Sequence, residues 1–270
     1  MPIIEIAFTS PNLNHRAQQL SEKLQLPLRE ADSATYDYLL ELSESGLSLV
    51  PSADKGYGPI SCDFAGGSHS HRRRFGGGNG QAIAKAIGVS GKFSPRVLDL
   101  TAGLGGDGFV LASLGCSVTM VERNPIVHSL LADGLTRAVT SAEDDSELRE
   151  IMHRCRLVEA NSADYLQQGE KGGAVDASDL ASIDVVYLDP MFPERKKSAK
   201  VKKQMQAFHA IVGTDADADG LLALALNVAT YRVVVKRPAG ANYLAEKKPS
   251  YSLEGKSTRY DIYTLKKLPA

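Results

Sequence analysis

Beyond Pro95 the chain alternates short, β-branched apolar runs with longer helical patterns, and this alternation restricts the fold more than any other feature. The runs are Val97 to Leu100, Ser117 to Glu122, Arg156 to Ala160, Ile183 to Asp189 and Arg232 to Lys236. Helical patterns such as Asp107 to Leu114 and Pro125 to Val139 separate them. Short β-branched runs separated by helices are the signature of βαβ units and a parallel sheet. The expectation is an α/β domain built on a parallel sheet. Tyr251 to Leu253 and Tyr260 to Leu265, joined across Gly255, read as a closing hairpin.

Ahead of this region the rhythm is mixed: an apolar run Ile3 to Phe8, a helical stretch Asn12 to Leu24, and short alternating runs around Tyr36 to Leu42 and Leu47 to Val50. These predict a small α+β domain. Between Asp63 and Gly91 two glycine clusters flank an arginine triplet, and a helix is expected near Gln81, so this stretch is a flexible, basic junction. The division expected is an N-terminal domain over residues 1–78 and a larger domain over 79–270.

Hydrophobic residues at 43% and charged residues at 23% exclude a disordered or fibrous chain. A net charge of -1 supplies no global field toward nucleic acid, so any such binding must come from a local basic surface. Cys62, Cys116 and Cys155 form no C-x-x-C pair, which argues against a disulfide framework or zinc ribbon and fits a reducing cytoplasm. The first residues, MPIIEIAFTSPNLNHR, lack a basic flank followed by a long apolar stretch, and no later run reaches the roughly 18 residues of a membrane helix. Neither export nor a membrane partner is expected.

The segment Val97 to Gly108 ends a strand, turns through glycines and opens a helix, so backbone can approach a nucleotide-like ligand at the carboxyl edge of the sheet. Gly103, Gly105 and Gly108 satisfy G-x-G-x-x-G, a weak motif by itself. Charge favours S-adenosylmethionine over a dinucleotide. Asp99 beside the loop suits a cationic amino acid moiety and would repel a pyrophosphate. Asp107 occupies the helix start where a dinucleotide enzyme needs an N-terminus free for phosphate. Candidate contacts in this loop are Asp99, Thr101, Gly103, Gly105, Gly106 and Asp107. Glu122 ends the next strand, where it can accept ribose hydroxyls or simply cap the helix opened by Pro125. Asn161 and Ser162 follow the third strand, where they can meet an adenine edge or provide an ordinary N-cap at Ser162.

The strand Asp184 to Asp189 runs into Pro190-Met191-Phe192-Pro193, which brings a carboxylate, a carbonyl and an aromatic face to one edge. This resembles the [Asp/Asn/Ser]-Pro-Pro-[Tyr/Phe] motif of amino-methyltransferases, with Met191 in place of the second proline. A base's exocyclic amine is a poor nucleophile until its hydrogens are drawn to acceptors. Asp189 and the Pro190 carbonyl are the candidate acceptors, and Phe192 the stacking ring. Alignment then supplies most of the rest, with no metal or covalent nucleophile required. The competing reading is a tight turn with Phe192 buried.

Two basic clusters flank these motifs. Arg195, Lys196, Lys197 and Lys200 belong to a run of cations after the candidate catalytic loop, and Arg72, Arg73 and Arg74 precede the larger domain. Both suit RNA phosphates, although a lysine run also serves as a solvated helix face. His69 and His71 have no other metal ligands spaced with them, so no metal is expected.

Taken together, DFAGGSHSHRRRFGGGNGQAIAKAIG, VLDLTAGLGGDGFVLASLG, VERNP, VVYLDPMFPERKKSAKVKK, GLLALAL and RVVVKRP resemble the RsmJ family of bacterial small-subunit ribosomal RNA guanine 2-amino methyltransferases, in collinear order over roughly residues 60 to 265. The resemblance implies a class I, Rossmann-like methyltransferase sheet with one reversed strand near its end. It implies S-adenosylmethionine as cofactor, and ribosomal RNA or the assembled small subunit as partner. It also implies cofactor contacts at Gly106, Asp107, Glu122, Arg123, Asn161, Ser162 and Asp189. Where the family carries a basic residue in the glycine loop this chain has Gly106, which leaves backbone contact alone. Other readings of the same loops remain: an amino-methyltransferase with a different acceptor, a nicotinamide-dependent dehydrogenase, or a non-catalytic RNA-binding assembly factor.

Overall fold

The structure is a computed structural model and describes residues 2–29, 35–66, 78–170, 180–191, 211–213 and 218–269. Phe192, Arg195, Lys196, Lys197, Lys200, Arg72, Arg73, Arg74, His69 and His71 lie outside the described residues.

A first sheet contains β1 (Ile4–Phe8), β2 (Tyr38–Ser43) and β3 (Gly46–Pro51), in that order. Helix α1 (Asn14–Leu24) connects β1 to β2, which pair in parallel, and β3 closes a hairpin on β2. After α2 (Ala82–Ile87) the expected alternation begins. It runs through β4 (Arg96–Asp99), α3 (Gly106–Ser113), β5 (Ser117–Glu122), α4 (Pro125–Ser141), α5 (Ser146–His153), β6 (Cys155–Glu159), α6 (Ser162–Glu170), β7 (Val185–Leu188), α7 (Ala218–Val228) and β8 (Arg232–Pro238). The hairpin β9 (Tyr251–Glu254) and β10 (Thr258–Thr264) completes the second sheet.

That sheet has the order β6-β5-β4-β7-β8-β10-β9. The strands from β6 to β8 pair in parallel, and β10 runs antiparallel to both β8 and β9. The single reversed strand therefore lies within the expected hairpin. Strand order reverses at β4, which has β5 on one side and β7 on the other, and a crevice opens at such a switch point beyond the carboxyl ends.

The apolar character of the central strands has a physical cause. Successive residues of each central strand enter different cores: Val97, Val185 and Val234 face one, and Leu98, Val186 and Val233 the other. The second core is completed by α6 and α7 through Tyr165, Leu166, Leu222 and Ala225. The first contains Phe109, Leu130 and Ile151 from α3, α4 and α5 together with Ile6, Leu40, Leu42 and Leu49 from the first sheet. The two sheets thus share one hydrophobic cluster. Phe64, on the segment leaving the first sheet, stacks on Phe109 with ring centroids 4.9 Å apart.

Candidate active site

The carboxyl ends of β4, β5, β6, β7 and β8 surround a cleft of about 320 Å³. Its floor is apolar, with Leu100, Val121, Val127 and Leu221 in the lining, and its polar wall holds four carboxylates and two cations: Asp99, Asp107, Glu122 and Asp189 with Arg123 and Lys236. Thr101, Gly103, Gly106, Asn161, Ser162 and Pro190 line it as well.

The glycine loop has its shape for identifiable reasons. Gly103 and Gly105 adopt φ of 54° and 72°, in the left-handed region that side chains disfavour. Gly105, at the N-cap of α3, does not line the cleft. A Cβ there would lie 2.6 Å from Leu131, so its part is close packing of the turn on α4 rather than the ligand contact expected for it.

Glu122 is 7% exposed and already oriented: Gly103 N donates to Oε2 at 2.8 Å and Asn124 N to Oε1 at 2.7 Å. The helix-cap reading of Glu122 fails, because Asn124 caps α4 through bonds from the Ile126 and Val127 amides. The N-cap expected at Ser162 is likewise displaced by one residue. Asn161 Oδ1 accepts from Ala163 and Asp164, while Ser162 Oγ donates to the Leu100 carbonyl at 2.6 Å. Glu122, Asn161 and Ser162 all remain on the cleft wall.

Thr101 ties the two loops together, since its Oγ1 accepts from the backbone N–H of Asp189 at 2.6 Å. The residue sequence reasoning passed over is Lys236. Its ammonium, two residues before the end of β8, donates to Asp189 Oδ2 at 2.8 Å and to Asp107 Oδ2 at 2.7 Å. The hydroxyl of fully buried Tyr187 donates to the same Asp107 oxygen at 2.7 Å. Burial alone would push the lysine pKa down, but Asp189 and Asp107 more than offset it and hold it above its ordinary value. A signal was present: a lysine inside Val233-Val-Val-Lys236, a run otherwise buried, needs a carboxylate to be tolerated there.

The family model of SAM-dependent methyltransferases, SAM_MT, matches residues 19–265. A ribosomal RNA small subunit methyltransferase J from Cellvibrio japonicus is 53% identical over 258 residues, covering 94% of each chain. The chain belongs to the methyltransferase J family. A second member, from Pseudomonas aeruginosa, is 48% identical over 267 residues, covering 99% of this chain and 97% of the relative. Among solved structures, a SAM-dependent methyltransferase from Neisseria gonorrhoeae is 32% identical and superposes with a TM-score of 0.70 over 96% of this chain and 95% of that one.

The cofactor of this methyltransferase J chain is S-adenosylmethionine, and the residues of the cleft fit it. A wall with more carboxyl groups than cations suits a ligand that carries a sulfonium and an ammonium better than one that carries phosphates. Burial pushes the Asp99 carboxyl up to about 8; the Thr101 amide works against this, and Asp107, Asp189 and Glu122 add to it. The sign of the consequences follows. Between 3.8 and about 8 the folded state holds a proton that the unfolded chain lacks, so this group's contribution to stability declines as pH rises through that window. A cation bound nearby favours the charged form and expels the proton. S-adenosylmethionine affinity is therefore expected to tighten from about pH 6 to about pH 8, by at most about tenfold per unit. In Asp99→Asn the slope disappears. Calorimetry in two buffers of different ionisation enthalpy reads the released proton, and a Kd independent of pH in the unaltered chain would remove Asp99 from this role.

Proposed function

We propose that the chain methylates the exocyclic 2-amino group of a guanine in small-subunit ribosomal RNA. The observation that carries this reading is the direct coupling of the acceptor loop to the cofactor loop: Asp189, with Pro190 beside it, is held by Thr101 at 2.6 Å and by Lys236 at 2.8 Å. The close relatives at 53% and 48% identity carry a ribosomal RNA small subunit methyltransferase name, which supports the substrate class.

S-adenosylmethionine, when bound, supplies an electrophilic methyl group on a sulfonium. Glu122, Asn161 and the backbone of Gly103 and Gly106 are the groups that would hold it. The Asp189 carboxylate accepts one hydrogen of the base's amine and the Pro190 carbonyl the other. This concentrates lone-pair density on the nitrogen and fixes its direction. Asp189 is also positioned to receive the proton that the methylated nitrogen releases. Phe192 supplies a stacking face, and Arg72, Arg73, Arg74, Arg195, Lys196, Lys197 and Lys200 engage phosphates. The work is cytoplasmic, and the RNA partner is naked ribosomal RNA or the assembled small subunit. No helix of the described residues is long and apolar enough to cross a membrane.

The test incubates the purified chain with methyl-labelled S-adenosylmethionine and small subunits that lack their native modifications, followed by nuclease digestion and mass spectrometry. Label on one guanine 2-amino group is the expected result. Label on adenine or on protein would replace the acceptor, and absence of label on subunits and free RNA would end the reading.

A further inference from the structure

We propose that Lys236 recognises the O6 carbonyl of the target base, so that Asp189 and Lys236 together select guanine. This rests on the reading above that a guanine 2-amino group is the acceptor.

The two residues follow directly on register partners. Leu188 of β7 pairs with Val235 of β8, and the next residue on each strand is Asp189 and Lys236. Their charged ends lie 2.8 Å apart and both line the cleft. The cleft therefore presents a carboxylate acceptor beside an ammonium donor. Guanine offers the complement along one edge: donors at the 2-amino group and N1, then an acceptor at O6. Adenine offers the reverse, an amine at position 6 next to an acceptor at N1. With the amine on one carboxylate oxygen, guanine turns N1–H toward the other and O6 toward the ammonium, whereas adenine turns the lone pair of N1 toward the carboxylate and C2–H toward the ammonium. Selection between the bases thus falls to the pair, with the lysine reading O6.

Lys236 is held as such a reader must be. Two of its three N–H donors are engaged by Asp107 at 2.7 Å and Asp189 at 2.8 Å, and the third has no partner among the described residues. Asp107 is itself held by the buried Tyr187 hydroxyl at 2.7 Å. A donor anchored in this way needs no rearrangement when the base arrives. The residue type matters: an ammonium has three donors for two carboxylates and one carbonyl, whereas a planar guanidinium would spread its donors in a fixed fork.

The test uses RNA in which the target guanosine is replaced by 6-thioguanosine. This keeps the 2-amino group and N1–H but presents sulfur, a weak acceptor, at position 6. With the unaltered chain, kcat/KM is expected to fall about tenfold to a hundredfold on the thio substrate, the size of one charge-assisted hydrogen bond. Lys236→Met, similar in shape and without a donor, lowers activity on guanine and brings the ratio of the two substrates close to one. The ratio cancels the concentration of folded enzyme, so partial misfolding does not imitate the result. Should Lys236→Met be silent on both RNAs, Lys236→Arg decides through a ratio moved from that of the unaltered chain. A ratio unchanged in either active variant overturns the proposal, as does a ratio near one in the unaltered chain. A chain that methylates no guanine 2-amino group overturns the functional reading as well; guanine methylation with a ratio near one overturns this proposal alone.

Discussion

Replacing Asp189 with alanine is expected to lower methyl transfer about a hundredfold to ten-thousandfold while RNA binding stays intact. In the proposed reaction the carboxylate is one of two acceptors that make the amine nucleophilic, and it is half-exposed in the cleft at the end of β7. Its loss also releases one hold on Lys236, whose other carboxylate, Asp107, remains at 2.7 Å. Asp189→Asn keeps an acceptor oxygen but not the charge, so its activity should fall between the two. Single-turnover kinetics with saturating RNA separate the chemical step from binding. Equal rates for Asp189→Ala and the unaltered chain would show that the carboxylate does not touch the reacting amine.

The second large effect is on stability. Asp133, on α4, is 6% exposed and joins the two sheets. Its Oδ2 accepts from the Leu47 amide of β3 at 2.9 Å and from Arg137 at 2.7 Å, and its Oδ1 accepts from Arg16 of α1 at 2.7 Å. Burial would raise its pKa, but the Leu47 amide, Arg137 and Arg16 more than offset that and hold it below 3.8. The stability it contributes is therefore present above the ordinary carboxylate range and is lost as pH falls through its lowered value. Asp133→Ala leaves the Leu47 amide unsatisfied inside the protein and removes two charge-assisted bonds. The arginines can reach water, with Arg16 at 53% and Arg137 at 30% side-chain exposure, which reduces the loss. About 2–4 kcal/mol is expected, read as a lower denaturation midpoint in urea. A midpoint within error of the unaltered chain would mean that the shared hydrophobic cluster alone docks the first sheet.

Much of the second sheet was legible because its signals are local. The runs at Val97, Ser117, Arg156, Ile183 and Arg232 became β4 to β8 with ends moved by a residue or two, and the Tyr251 and Tyr260 runs became the reversed hairpin. Helix α5 went unread: it is only 8 residues long and joins α4 through a short turn, so its pattern merges with its neighbour's. The caps were misplaced by small steps at Glu122 and Ser162 because Asn124 and Asn161 carry side chains of the same capping chemistry one or two positions away.

The sequence by itself determined the kind of sheet and the glycine turn, since each depends on the periodicity and conformational freedom of adjacent residues. Only the tertiary structure decided which charges meet. Lys236 is 129 residues from Asp107 and 47 from Asp189, and Thr101 is 88 from Asp189. These contacts exist because β4, β7 and β8 are neighbours in the sheet, an order set by how the helices divide between two cores. Strand order leaves no local trace in the chain, so the ammonium between two carboxylates emerged only when the strands were assembled.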